Sequence, residues 1–299
     1  MADTTLVHRT RWPQVRLAAL TWRALRRWPV LPVVILAALV VVGVFAPLLA
    51  PHNPNKANLA DRNTPPIWAE GGSSEYILGT DQVGRDILSR LIHGARVSLL
   101  VTAISLTSGL VLGVAVGLIA GYFGGHTDEL LMRLVEIQLG IPFILIALVA
   151  VIVLGQTFIL LLALLALFAW PPFARNIRGE VLSLKTRDYV ALARVAGAST
   201  FRILLVHILP GVINTVIVIA TLRVGQLILT EAILSFLGAG IPPPRPAWGA
   251  MIADGRDYLS DAWWIASFPG IAIFLVVMSL NFLGDWFRDR FDPRLRQLE

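Results

Sequence analysis

The chain has no cysteine among its 299 residues, which removes disulfides, thiolate nucleophiles and Cys-held zinc or iron–sulfur sites from consideration. Charge is scarce too. Asp, Glu, Lys and Arg make up 15% of the residues and hydrophobic types 56%, against roughly 25% and 45–50% in soluble domains. The only lysines, Lys56 and Lys185, do not follow a glycine, so no G-x-x-x-x-G-K-[ST] loop exists to hold a nucleoside triphosphate. H-E-x-x-H and G-x-S-x-G are missing as well, and the five histidines are scattered among different segments. The chain therefore reads as non-catalytic, with no metal site and no cofactor of its own.

What it has instead is long uncharged runs. A hydrocarbon core about 30 Å thick needs roughly 20 apolar residues in a helix. Residues 30–49, 97–121 and 263–284 carry no charge, and 211–238 carries only Arg223 and Glu231. Residues 137–174 are uncharged over a length that would make a helix of about 57 Å, close to twice one crossing. That run is expected to fold back at Gly155-Gln156-Thr157, giving an all-α protein with six transmembrane helices. Arg23, Arg26 and Arg27 precede the first run as a signal peptide's basic region would. The run is longer than a signal core and no A-x-A-like site follows it, so it reads as an uncleaved span.

Basic residues set the expected orientation. With the N-terminus cytoplasmic, the inside segments hold Arg9, Arg11, Arg16, Arg23, Arg26, Arg27, Arg175, Arg178, Lys185, Arg187, Arg194, Arg202, Arg288, Arg290, Arg294 and Arg296. The outside segments hold Lys56, Arg62, Arg85, Arg90, Arg96, Arg245 and Arg256. Sixteen against seven predicts both termini inside. It also explains the net charge of +6 by attraction to anionic lipid. No basic, aromatic-interleaved domain is present, so nucleic acid is not an expected partner. The expected organisation is an N-terminal cytoplasmic segment 1–29, a first span 30–49, an extracytoplasmic loop 50–96, a core 97–287 and a tail 288–299. Trp28, Trp170, Trp263, Trp264 and Trp286 fall near span ends, where interfacial rings belong.

Gly109, Gly113, Gly117 and Gly121 recur every four residues, with Ser105 extending the row backwards. This spacing predicts one groove of bare backbone for close helix packing. Arg223 lies mid-span with Gln226 and Thr230 on its face. A charge at that depth costs about 2.5–3.5 kcal/mol unless it faces a bundle interior, a partner or water. Either a structural pair, with Glu136 or Glu231, or a place on a solute pathway answers that cost, and both readings stay open. Asn281 and Gln138 are weaker candidates of the same kind. Between the fourth and fifth spans, Asp188 is expected to cap a helix over 189–196, Gly197 to end it in the left-handed conformation, and Ser199 to cap a second helix from Thr200. Pro210 would then open the fifth span. A helix pair of this kind suits docking to a cytoplasmic partner.

The stretch DYVALARVAGASTFRILLVHILPG resembles the EAA loop of ABC importer permeases. Ala193, Gly197 and Leu209-Pro210 match its spacing, whereas Ala191, Leu192 and His207 depart from its usual Glu, Ala and Ile. LGTDQVGRDILSRLIHGARVSL at 78–99, AGYFGGHTDELLMR at 120–133, EAILSFLGAGIPPPRPAWGAMIADGRDYLSDAWW at 231–264 and NFLGDWFRDRFDPRLR at 281–296 are similar to the C-type permease subunit of dipeptide and oligopeptide importers. The resemblance runs over about 26–296. It implies a type I ABC importer permease fold in the bacterial inner membrane and four partners: a related B-type permease, two cytoplasmic ATPases that bind ATP and Mg, and an extracytoplasmic binding protein. It also implies coupling helices at 188–208, with Asp188, Tyr189, Ala191, Ala193, Arg194, Gly197, Ala198, Ser199 and Arg202 against an ATPase. The two outside segments would touch the binding protein. Nickel, glutathione or another small solute as cargo, or a stand-alone channel or secondary transporter, are the alternatives.

Overall fold

In the computed structural model, residues 29–291 are described, with side chains to residue 288. The basic residues 9–27, Trp28, Arg294 and Arg296 lie outside the described residues, as does the side chain of Arg290. Nine principal helices are described: α1 Val30–Val44, α2 Ile87–Phe123, α3 Gly125–Gly140, α4 Phe143–Leu154, α5 Phe158–Leu184, α6 Asp188–Val195, α7 Leu209–Phe236, α8 Trp248–Gly255 and α9 Trp264–Phe291. No strand is present among the described residues.

Four helices are long and apolar enough to cross a membrane: α2, α5, α9, and α7 together with the turns before it, Thr200–Phe236. α3 and α4 form a fifth apolar unit, bent by 82°. α1 is shorter, 15 residues, and continues past Phe45 into a single turn, Ala46–Leu49. The six apolar segments are there, but two of them are not simple straight spans. The third run does not start a helix at Ile137. Ile141 is extended (φ −98°, ψ 129°), as a residue before proline prefers to be, and Pro142 breaks α3 from α4. The fold-back falls at Gly155, which has φ +81°, and Thr157 caps α5 by accepting from the Leu160 N–H at 3.1 Å.

The second span begins at Ile87, ten residues before its charge-free part. Asp86 caps it, accepting from the Ser89 N–H at 2.9 Å and the Ser89 hydroxyl at 2.5 Å. Arg90 is carried into this helix in a buried ionic cluster. Asp81 receives Arg85 Nε at 2.6 Å and lies 3.6 Å from Arg90 Nε, and both arginines also face Asp254 of α8, at 3.4 and 3.9 Å. Trp248 of α8 donates to the Leu91 carbonyl at 2.9 Å, and Trp264 to the Thr80 carbonyl at 3.1 Å. Trp264 and Trp170 are thus buried packing residues, not interfacial rings, because neighbouring elements cover both.

The four-residue glycine row of α2 meets a four-residue row of α5. A Cβ at Gly109 would lie 2.3 Å from Ala169 Cβ, at Gly113 2.4 Å from the Trp170 carbonyl oxygen, at Gly117 2.8 Å from that of Ala174, and at Gly121 2.7 Å from Val181 Cβ. Numbers rise together on both helices, so they run parallel, in backbone contact. Arg178 holds Asp128 with two bonds, 2.5 and 3.0 Å, and Lys185 Nζ donates to the Gly121 carbonyl at 2.7 Å. Pro171 sits inside α5 and has no N–H for the Leu167 carbonyl. The Gln138 side chain of α3 donates to that carbonyl instead.

Replacing Gly113 with leucine forces α2 from α5 at a point where backbone, not a movable side chain, is in the way. It should cost at least the 1–3 kcal/mol of an overpacked core, read as a lower melting temperature in detergent, whereas Gly179→Ala, with open space around it, should be neutral or slightly stabilising. Removing Asp81 (Asp81→Ala) leaves the buried Arg90 with Asp254, at 3.9 Å, as its one carboxylate among the described residues. A loss of about 3 kcal/mol is expected, the lower end for a broken buried pair, against less than about 1 kcal/mol for the more exposed Asp254→Asn. Equal melting temperatures would contradict a role for the cluster in stability.

Candidate functional site

At the end of the bundle where α2 stops, Val114, Leu118, Ile177, Val181, Val190, Ile203, Ile208 and Val212 form one buried cluster. Val190 is the single buried residue of α6, so one apolar side chain seats that helix in this cluster, against the 203–208 segment. Arg194 reaches over the Tyr122 ring at 5.9 Å. The N-cap is Arg187, without a side-chain bond, and Asp188 is the first helical residue. Asp188 is therefore not the cap. Placed in the first turn, its charge faces the partly positive helix end instead.

The C-terminus of α6 is a Schellman turn. Gly197 has φ +78°, its N–H meets the Arg194 carbonyl at 3.1 Å, and the Ala198 N–H meets that of Ala193 at 3.0 Å, which is the paired pattern of that motif. Ser199 caps the next turn by accepting from the Arg202 N–H at 3.3 Å. The second helix does not stand apart as a short partner of α6. Thr200–Arg202 runs through a π segment, Ile203–Ile208, directly into α7. Pro210 has no N–H for the Val206 carbonyl, and the Leu209 N–H bonds to the Leu204 carbonyl, one residue wider than in an α-helix. The helix widens around the proline and continues.

Around this turn Ala191, Ala196, Ser199 and Arg202 are exposed, Ala193 and Ala198 half-buried. Leu192, Val195 and Phe201 show 68, 88 and 72% of their surface, as does 44% of Tyr189. Arg187, Arg194 and Arg202 are exposed beside them. Large apolar side chains thus stand exposed among cations here, the make-up that marks interaction sites in general.

Arg223 is half-buried on α7 and its Nη1 donates to the Gln226 side chain. Neither carboxylate offered as its partner reaches it. Glu136 is exposed beside Arg133 at 3.6 Å, because α3 turns away at Pro142. Glu231 is fully buried near the other end of α7, where it accepts from Ser235 at 2.7 Å and Ser98 at 3.4 Å. Thr230 is buried, its hydroxyl donating to the Gln226 carbonyl at 2.7 Å. Asn281 lies on α9 opposite Gly225, whose Cβ would be 3.7 Å from its Oδ1. The structure thus brings Arg223, Gln226 and Asn281 to one helix seam and leaves Glu136 elsewhere. Sequence reasoning missed the Asp81–Arg85–Arg90–Asp254 cluster. Its signal was the D-x-x-x-R-D-x-x-x-R spacing at 81–90, which stacks both arginines over Asp81.

Residues 113–297 match the family described as binding-protein-dependent transport system inner membrane component, and residues 17–66 the N-terminal transmembrane domain of oligopeptide transport permease C. The di/tripeptide transport system permease protein DppC of Pseudomonas aeruginosa is 43% identical over 86% of this chain and 85% of its own length. The dipeptide permease DppC of Escherichia coli K12 shows the same identity and coverage. The glutathione transport system permease GsiD of Pectobacterium atrosepticum is 40% identical over 86% of this chain and 84% of its own. A chain of the MetNI methionine ABC transporter in inward-facing form shares the fold, with a TM-score of 0.54 and 21% identity over 68% of this chain and 96% of that one. Taken with the helical bundle and its projecting α6 turn, these matches place the chain in the family of binding-protein-dependent transport-system inner-membrane components, as a membrane-spanning permease subunit.

Proposed function

We propose that this chain is the C-type permease subunit of an ATP-binding cassette importer for di- and oligopeptides in the bacterial inner membrane, with both termini cytoplasmic. The observation that carries the reading is the α6 turn: apolar side chains presented on an element wired by continuous helix into a span, in a chain about two-fifths identical to peptide permeases along most of its length. A homologous B-type permease would complete the pathway. Two cytoplasmic ATPases would supply ATP and Mg, neither held by this chain, and an extracytoplasmic binding protein would deliver cargo to the segments around 50–86 and 238–262.

Coupling follows from stiffness. Asp188, Tyr189, Ala191, Ala193, Arg194, Gly197, Ala198, Ser199 and Arg202 form a foot whose second half is the first turn of a helix running from Thr200 to Phe236, about 55 Å long. A push on the foot when the ATPases close is carried along α7 toward the opposite face, provided the two states contact it differently. The glutathione permease among the relatives supports a second cargo reading, a small peptide-like thiol, on the same architecture.

Two outcomes are expected. In proteoliposomes with the full complex, Gly197→Val should lower transport at least five-fold while ATP hydrolysis persists, because a β-branched residue resists φ +78°. Gly197→Asn, which tolerates that conformation, should keep most coupling; normal transport by the valine variant would refute the lever. Since no cysteine is present, single replacements report sidedness cleanly. Ser74→Cys should react with an impermeant maleimide on intact cells, and Ser183→Cys only after permeabilisation.

A further inference from the structure

A groove of about 710 Å³ runs along one face of α9, with Leu229 contributed by α7. Most of its lining is apolar, including Phe274, Val277 and Phe282, but Asn281 and Asp285 stand at one end. The register of the seam is fixed by two glycines. A Cβ at Gly284 would lie 2.6 Å from Leu222 Cδ2, and one at Gly225 3.5 Å from Leu280 Cβ. α7 and α9 therefore run antiparallel, with Leu222 opposite Gly284. One residue further along each helix turns the chain by about 100°, and on antiparallel helices both turns lead to the same flank. Arg223 and Asp285 are those two residues.

Among the described residues neither makes an ion pair: Arg223 bonds only to Gln226, and Asp285 meets no cation. A guanidinium this far inside a span is costly unless a partner completes it. Asp285 lines the groove, and Arg223 follows Leu222 onto the same flank of the seam without meeting it; opposite charges so placed suit a ligand that carries both signs. The helix axes of a packed pair lie about 8–10 Å apart, and the two termini of an extended dipeptide about 7 Å apart.

We propose that this flank of the α7–α9 seam is a transit subsite for zwitterionic cargo, with Arg223 and Gln226 receiving the carboxylate terminus and Asp285 and Asn281 the ammonium terminus. This rests on the peptide-import reading. An alternative occupant, a charged helix of the partner permease, is separated from it by the test.

The test uses the reconstituted importer with its ATPases and binding protein, at concentrations where alanyl-phenylalanine, its C-terminal amide and its N-acetyl form each saturate the binding protein. That protein's own preference then cancels between variants. Arg223→Gln should cut uptake of the free dipeptide at least ten-fold and leave the amide within two-fold of wild type, while Arg223→Lys keeps most of the preference. Asp285→Asn should remove discrimination against the N-acetyl form in the same way. Equal falls for free and blocked cargo, unchanged ratios, or loss of the partner permease from the Arg223→Gln complex would each overturn the subsite. If the wild type carries none of the three, the peptide reading itself fails and the subsite with it.

Discussion

The backbone contact between α2 and α5 is the constraint on which the rest of the molecule depends. Lipid is as apolar as leucine, so helices in a bilayer gain little by hiding side chains from it and associate through close packing. Gly109, Gly113, Gly117 and Gly121 let α5 approach until its Ala169, Phe173, Ile177 and Val181 row fills the groove. Both rows repeat every four residues, so a single register satisfies all four contacts at once. The Arg178–Asp128 pair and the Lys185 bond to the Gly121 carbonyl lock the same register at one end.

Everything at the α6 end is built on that pair. The buried cluster that receives Val190, Ile203 and Ile208 is floored by Val114, Leu118, Ile177 and Val181, two residues from each helix of the pair. α6 has only eight residues and no length to hold itself together in water. Its shape is imposed by Val190 in that floor, by the Schellman turn at Gly197, and by the uninterrupted helix beyond Ser199. Widening α7 around Pro210 keeps this continuity where a kink would have broken it. The opposite end is fastened by charge: the Asp81 cluster ties the 50–86 segment to α8, and Asp86 starts α2.

Patterns carried by a few neighbouring residues were legible in the sequence, and those made across the bundle were not. The glycine row, the turn at Gly155 and the turn at Gly197 follow from backbone rules that act within four or five residues. The bend at Pro142 was also local, yet it lay inside an uncharged run whose length counted for more than its single proline. Counting arginines by segment treated Arg90 as a loop charge, although its position four residues after Asp86 puts it in the first turns of α2, where Asp81 and Asp254 neutralise it. Trp264 was placed at an interface because nothing in a linear pattern shows that Thr80, far away in the chain, supplies its hydrogen-bond acceptor. Arg223 had two carboxylates available on paper. Neither reaches it: Glu136 lies beside Arg133 on α3, and Glu231, eight residues further along Arg223's own helix, is taken by Ser98 and Ser235.

Glu231 shows why the two ends of α7 differ in kind. Its carboxylate is buried with hydroxyl partners on both sides, Ser98 from α2 and Ser235 from its own helix, and Ser235 also accepts the Ile241 N–H at 3.1 Å. Gly238 (φ +78°) ends the helix here in a second Schellman turn, with the Ala239 N–H on the Leu234 carbonyl at 2.8 Å. A buried carboxyl is costly unless its hydrogen bonds are made, so α7 cannot slide past α2 at this point without exposing an acid to apolar surroundings. At the other end α7 is held by shape alone, through Ile203, Ile208 and Val212, and packed apolar surfaces exchange one arrangement for another more cheaply than a buried polar network does. A helix bonded at Glu231 and packed at Ile203 is therefore held unequally, by a buried polar network at the loop end and by apolar contact at the α6 end.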